Sequence, residues 1–262
     1  MTNLDEYCKN HFTGYMENPE QDLSFLDFWK EFLAQVKVLG SEKAINTMLI
    51  PNLPLVFNQP EKITAEIYQA AAGKIPVIRL CDTGDFENLV TNLVHKGKRP
   101  ENLSSTGAAF VYGKSTRFII LSQKPYSNVS AKTMGLSEDD WLKKSMEIRL
   151  AHECSHFFTK VHYGTAQNHL HDELIADFCG IFAAFGFYRA EYFEYFMGIK
   201  GTEGSRIVNY IPSCSPEILS LLKEKASRAA LFLEELSRQK DFISLSPEEK
   251  IRRLCETDLL LL

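Results

Sequence analysis

The run His152-Glu153-Cys154-Ser155-His156 constrains this chain more than any other segment. It lies inside residues 137–160, which read as one long helix opened by Ser137 with Asp140 three positions on. Positions i and i+4 of a helix share a face, so the two imidazoles project the same way. Apolar Leu150, Ala151, Phe157 and Phe158 flank the run and predict a half-buried setting rather than a solvated one. Five of the seven histidines (His152, His156, His162, His169 and His171) fall within twenty consecutive positions.

Two imidazoles on one helix face can converge on a zinc ion at roughly 2.0–2.1 Å. Glu153, on the neighbouring position, is placed to take a proton from water whose pKa the metal lowers toward ~7. A catalytic zinc site needs a third protein ligand. One candidate is Glu173, in Asp172-Glu173-Leu174-Ile175-Ala176-Asp177 on a second predicted helix. Asp177, four positions later on the same face, could accept a hydrogen bond from the far nitrogen of a ligating histidine and fix its tautomer. An acidic pair on an otherwise apolar face is costly to bury unless it is paired. The other candidate is His162, ten residues after His152, the spacing of the pattern HExxHxxGxxH. Here Thr159 stands where that pattern has the glycine of its sharp turn, and Gly164 comes later. Asp172, His169 and His171 remain as further possible ligands.

HExxH followed by a helix carrying ExxxD resembles the gluzincin branch of the zincin metallopeptidases. The likeness spans about residues 150–186 and includes the stretch DELIADFCGIFAAFG, similar to that group's glutamate helix. It implies His152, His156 and Glu173 as ligands of one zinc ion per chain, Glu153 as general base, and Asp177 as the residue that orients a ligand histidine. It also implies a zincin-like fold in which a small, mostly antiparallel sheet packs on the active-site helix. Thr116–Ser122 would be the edge strand above that helix, holding an extended peptide by backbone pairing. Such enzymes take an oxyanion donor from their later helices, and His169, His171, Tyr188, Tyr192, Arg206 and Tyr210 are candidates.

The remaining chain predicts an α+β fold. Helices are expected over 22–39, 41–50, 61–72 and 86–96, the last capped by Asp85. Strands are expected over 75–81, 108–112 and 116–122, the latter two joined through Gly113-Lys114-Ser115. That triplet lacks the earlier glycine of a phosphate-binding loop and reads as a hairpin turn. Residues 123–136 read as loop. Helices follow over 170–186, 188–198, 215–239 and 247–260. The expected organisation is a single zincin-like domain, with a lobe over 1–160 carrying sheet and HExxH helix and a helical lobe over 161–262.

Composition narrows the function class. A net charge of −5 disfavours a nucleic-acid binder that neutralises phosphates. Six scattered cysteines without a CxxC pair predict buried thiols in a reducing cytoplasm. No apolar run is long enough to span a membrane, and residues 1–10 lack a signal-peptide core. The leading expectation is a cytoplasmic zinc-dependent hydrolase, a metallopeptidase acting on a peptide or protein substrate. The alternative is a zincin-fold metal-dependent binding or regulatory protein with little or no catalysis. A metal-free helical interaction protein is a third class.

Overall fold

The computed structural model describes residues 4–113, 116–201, 203, 206–211 and 214–262. In chain order its regular elements are α1 (Leu4–Cys8), α2 (Phe25–Leu39), α3 (Ser41–Ala44), β1 (Thr64–Ala70), β2 (Gly73–Leu80), α4 (Thr83–Leu89), β3 (Ala108–Tyr112) and β4 (Arg117–Ser122). Then come α5 (Ala131–Met134), α6 (Glu138–His162), α7 (Leu170–Phe185), α8 (Ala190–Met197), α9 (Pro216–Leu236), α10 (Lys240–Ile243) and α11 (Pro247–Cys255). The fold is α+β, as expected. The chain divides into two compact units: Met1–Pro19 together with Pro125–Leu262, and Glu20–Lys124. The helices on either side of residue 160 belong to the same unit.

The Glu20–Lys124 unit is built on a four-stranded mixed sheet of order β1-β2-β4-β3. β1 pairs antiparallel with β2, β2 parallel with β4, and β4 antiparallel with β3. β4 (RFIILS) is buried along its whole length, the signature of a central strand covered on both faces. It is therefore not the edge strand that the zincin likeness implied, because β2 and β3 occupy both of its edges. Phe25, Trp29 and Phe32 of α2 pack with Ile78, Leu80, Phe118 and Ile120 of the sheet in one apolar core. Lys114 and Ser115 of the expected hairpin turn lie outside the described residues, and Gly113 N–H donates to the Thr116 carbonyl beside them.

Two local expectations are corrected here. Residues 61–72, expected as a helix, contain strand β1 instead. Ile63, Ala65 and Ile67 alternate onto the core while Thr64 and Glu66 face solvent. Pairing with β2 through the Ala71-Ala72 turn outweighs the helical preference of the alanines. The α4 segment is capped by Asp82, whose side chain accepts from Asp85 N–H, and not by Asp85. Asp85 is buried and instead receives the Asn58 and Gln59 N–H groups. That helix, like α3, continues as a five-residue π-helical turn.

In the other unit, α6 and α7 form the central pair, with α9 and α11 packed against α7. Ser137 caps α6 by accepting from Asp140 N–H, as expected. The 123–136 segment is not all loop: it holds a 3-10 turn at Tyr126–Asn128 and the short helix α5. Ser127 and Asn128 adopt positive φ of 52° and 58°, uncommon for residues with a side chain. Among the described residues no helix is long and apolar enough to cross a membrane. No disulfide links the six cysteines, and Cys8, Cys154 and Cys255 are buried.

Close approach of α6 and α7 depends on Gly180. A Cβ there would lie 2.8 Å from both the Cγ2 and the carbonyl oxygen of Ile148. Gly180→Ala gains up to ~1 kcal/mol of helix propensity. It must also push a backbone carbonyl aside, an overpacking cost of about 1–3 kcal/mol. The expected outcome is a net loss of stability, read as a lower Tm, and Gly180→Val should lower it further.

Candidate metal centre

His152 and His156 project from one face of α6, and Glu173 reaches them from the first turn of α7. His152 Nε2 and His156 Nε2 are 3.1 Å apart. Glu173 Oε2 lies 3.5 Å from His152 Nε2, and Oε1 lies 3.4 Å from His156 Nε2. Four ligands held tetrahedrally at zinc distances stand about 3.3 Å from one another. The triangle thus has the size that such an ion requires. His152 and Glu173 are only 7% and 4% exposed.

The far side of His152 is fixed. Its Nδ1–H donates to Asp177 Oδ1 at 2.9 Å, and a carboxylate can only accept. The proton therefore sits on Nδ1, and the Nε2 lone pair faces His156 and Glu173. The Tyr126 hydroxyl donates to the same Asp177 oxygen at 2.6 Å. Arg206 donates through one terminal nitrogen to Glu173 Oε2 at 3.0 Å and to both Asp177 oxygens at 3.0 and 3.1 Å. Its other terminal nitrogen donates to Ser127 Oγ at 2.9 Å, and its guanidinium lies over the Tyr126 and Tyr210 rings. The positive-φ turn at Ser127 thus serves two partners, presenting Tyr126 to Asp177 and Ser127 to Arg206.

The titration of these groups follows from that packing. Burial alone raises Asp177, but the charge of Arg206 and then the hydrogen bond from His152 outweigh it, and the carboxyl is held below its usual range. Burial likewise raises Glu173, yet the adjacent His152 and His156 lower it to about 2. Burial lowers the His156 imidazole, but its hydrogen bond to Glu173 and that carboxylate's charge prevail and hold it at about 9. A proton on His156 fills the role that a cation would take.

The remaining sequence candidates separate. His162 is not part of this group. Ten residues of uninterrupted helix carry it about 15 Å along the axis from His152. There its Nδ1 meets the Met16 carbonyl at 2.8 Å and its ring stacks on Phe158. Thr159, in place of the pattern's glycine, keeps α6 continuous and sends His162 that way. Tyr210 hydrogen-bonds Glu173, and burial raises its pKa well above the usual tyrosine range. Tyr188 is buried against Phe178, and its hydroxyl has no hydrogen-bond partner among the described residues. The Tyr192 ring packs on Phe185. His169 caps α7, accepting from His171 N–H, while its Nε2 meets the Tyr7 carbonyl at 3.0 Å. His169 and His171 gather instead with His11 and Asp172. Gly204 and Ser205, beside Arg206, lie outside the described residues. Tyr126 and His11 carried no signal in the sequence, since each is joined to its partners only by tertiary contacts.

The His156–Glu173 pair makes the stability of chelator-treated protein depend on pH. His156 is raised above its unfolded ~6.5, so its contribution is complete below that pH and is lost as pH climbs through about 9. Glu173 is lowered below its unfolded ~4.3, so its contribution is complete above that pH and is lost as pH falls to about 2. Thermal denaturation should show a plateau between about pH 4.5 and 6.5 with a decline on either side. His156→Ala should flatten the alkaline decline.

A family model described as Family of unknown function (DUF7005) matches residues 39–117 and 114–262. No curated protein matches the chain, and no solved structure does. The two matched segments together span residues 39–262 and contain the whole His152–His156–Glu173 group, and on that extent of match the chain belongs to the DUF7005 family.

Proposed function

We propose that this protein is a zinc-dependent hydrolase, a metallopeptidase that cleaves amide bonds in a peptide or protein substrate and is organised on the gluzincin plan of a zincin-like fold. One observation carries the reading: the ligand atoms of His152, His156 and Glu173 stand 3.1–3.5 Å apart, with Asp177 fixing the His152 tautomer from behind. The donor set of two imidazoles and a carboxylate is that of a catalytic zinc site with room for water. When bound at this site, one zinc ion supplies Lewis acidity, lowering the pKa of water toward ~7 and polarising a carbonyl.

The protein's own groups do the rest. Glu153 is half-buried on α6 beside His152, and no hydrogen bond or ion pair engages it among the described residues. Its carboxylate takes a proton from the attacking water and returns it to the leaving amine. Arg206 anchors Oε2 of Glu173 and leaves Oε1 turned to His156, so the glutamate is held in one orientation. Both terminal nitrogens of Arg206 are committed to the acids and to Ser127, which leaves the Tyr210 phenol as the donor able to swing to a developing oxyanion. A cytoplasmic setting, with no disulfide among the six cysteines, belongs to the same proposal.

Purified protein should contain zinc and cleave members of a peptide library, with loss of cleavage on chelation. Glu153→Gln is expected to keep zinc while lowering cleavage by about 10²–10⁴-fold. His156→Ala and Glu173→Ala should lose cleavage and the zinc held at this site. His162→Asn should keep the metal, since that side chain holds Met16 instead. Full activity in Glu153→Gln would sink the mechanism.

A further inference from the structure

A second group of ligand-type side chains surrounds the start of α7. His11, His169 and Asp172 each bring one ligand atom within 4.8 Å of the other two. His11 Nε2 faces Asp172 Oδ2 at 2.7 Å. The other carboxylate oxygen accepts Gln167 N–H at 2.9 Å, but Oδ2 receives no well-formed hydrogen bond among the described residues. His171 stands beside them with its ring edge-on to His11, centroids 5.8 Å apart. His171 and Asp172 are 0% and 2% exposed, and neither ring nitrogen of His171 makes a well-formed hydrogen bond beyond its contact with the Thr257 backbone.

Three imidazoles around one buried carboxylate are short of donors. One carboxylate balances one imidazolium, and further protons would put like charges together out of water. With neutral rings, His169 engages both nitrogens through the His171 N–H and the Tyr7 carbonyl, but His11 Nε2, Asp172 Oδ2 and the His171 ring lack well-formed side-chain partners among the described residues, and buried polar atoms without partners are unfavourable. A divalent cation resolves both shortages, because it takes lone pairs and offsets the carboxylate. Asp172 and Glu173 are successive residues on a helix, about 100° apart around its axis, so the two groups use different faces of α7.

We propose that His11, His169 and Asp172, with His171 behind them, form a second divalent-cation site, separate from the His152 group, that fastens the N-terminal segment to the first turn of α7. Its nitrogen-rich donor set suits Zn²⁺, Co²⁺ or Ni²⁺ rather than Mg²⁺ or Ca²⁺. Filling it through His169 Nε2 moves that nitrogen's proton to Nδ1, so both the Tyr7 carbonyl bond and the cap on His171 N–H give way to a coordinate bond, and the His11–Asp172 contact opens from 2.7 Å toward the ~3.3 Å of tetrahedral neighbours. Both changes make it the weaker of the two sites, so it fills second and empties first.

Zinc titration of the full-length protein against a chromophoric chelator, with metal content by mass spectrometry, tests this. The wild-type chain should bind two equivalents, His11→Gln one, His156→Ala one, and the double variant none. One equivalent in the wild type that His11→Gln retains, or two in His11→Gln, overturns the proposal. If the wild type binds one equivalent that His156→Ala keeps and His11→Gln loses, the proposed catalytic centre fails and this site stands. Unmodified protein gives a reading that no folding defect can cloud. Anomalous scattering at the zinc edge from zinc-soaked crystals should show a peak between His11 and Asp172. A map with density only at His152 and His156, or at neither place, overturns the proposal.

Discussion

Asp177 is a carboxylate with no exposure to water, and the site is arranged around the need to compensate it. Left alone at that depth it would cost several kcal/mol. Three donors meet it instead: His152 Nδ1–H, the Tyr126 hydroxyl and the Arg206 guanidinium. Each satisfies the acid and, in doing so, sets something else. His152 acquires one tautomer and one ring orientation. Tyr126 fixes the positive-φ turn at Ser127. Arg206 ties a separate segment of chain to α7 and spans both acids of the pair. An alanine at 177 would remove the acceptor of all three donors at once.

What the sequence disclosed follows the range of the interactions. The two helices that carry the site obey local rules: a serine cap, i,i+4 spacing and an apolar face. Both appear close to where they were read. β1 escaped because its alternation of Ile63, Ala65 and Ile67 competes with an alanine-rich composition, and only the β2 partner decides between them. Asp82 and Asp85 are both good caps, and the loop amides at Asn58 and Gln59 claimed the second. Tyr126 and His11 were illegible in principle, since a tyrosine in a loop and an isolated histidine acquire meaning only when distant chain arrives beside them. Arg206 was read as a candidate oxyanion donor, but its commitment to two carboxylates was not foreseeable from its neighbours in the sequence.

The bunched histidines do not form one cluster. His152 and His156 face Glu173. His162 serves as a hydrogen-bonding plug for Met16. His169 and His171 turn toward His11 on a different face of the first turn of α7. Adjacent acids, Asp172 and Glu173, therefore look into two different polar groups, and a shift in the first turn of α7 would be felt by both.

The N-terminal segment spans a long interval of chain. Asn10 hydrogen-bonds the Cys255 carbonyl across 245 residues, Tyr7 reaches the Tyr210 carbonyl, and Met16 pairs with His162. The Glu20–Lys124 unit lies between these partners in the chain and closes its own sheet without them. During synthesis that unit is complete while residues 4–16 still await everything they bind. Loop closures of this length are slow to form, so the histidine-bearing unit cannot close fully until the chain has been made through Cys255, and until then Leu4–Met16 is exposed to whatever chaperone or protease meets the nascent chain.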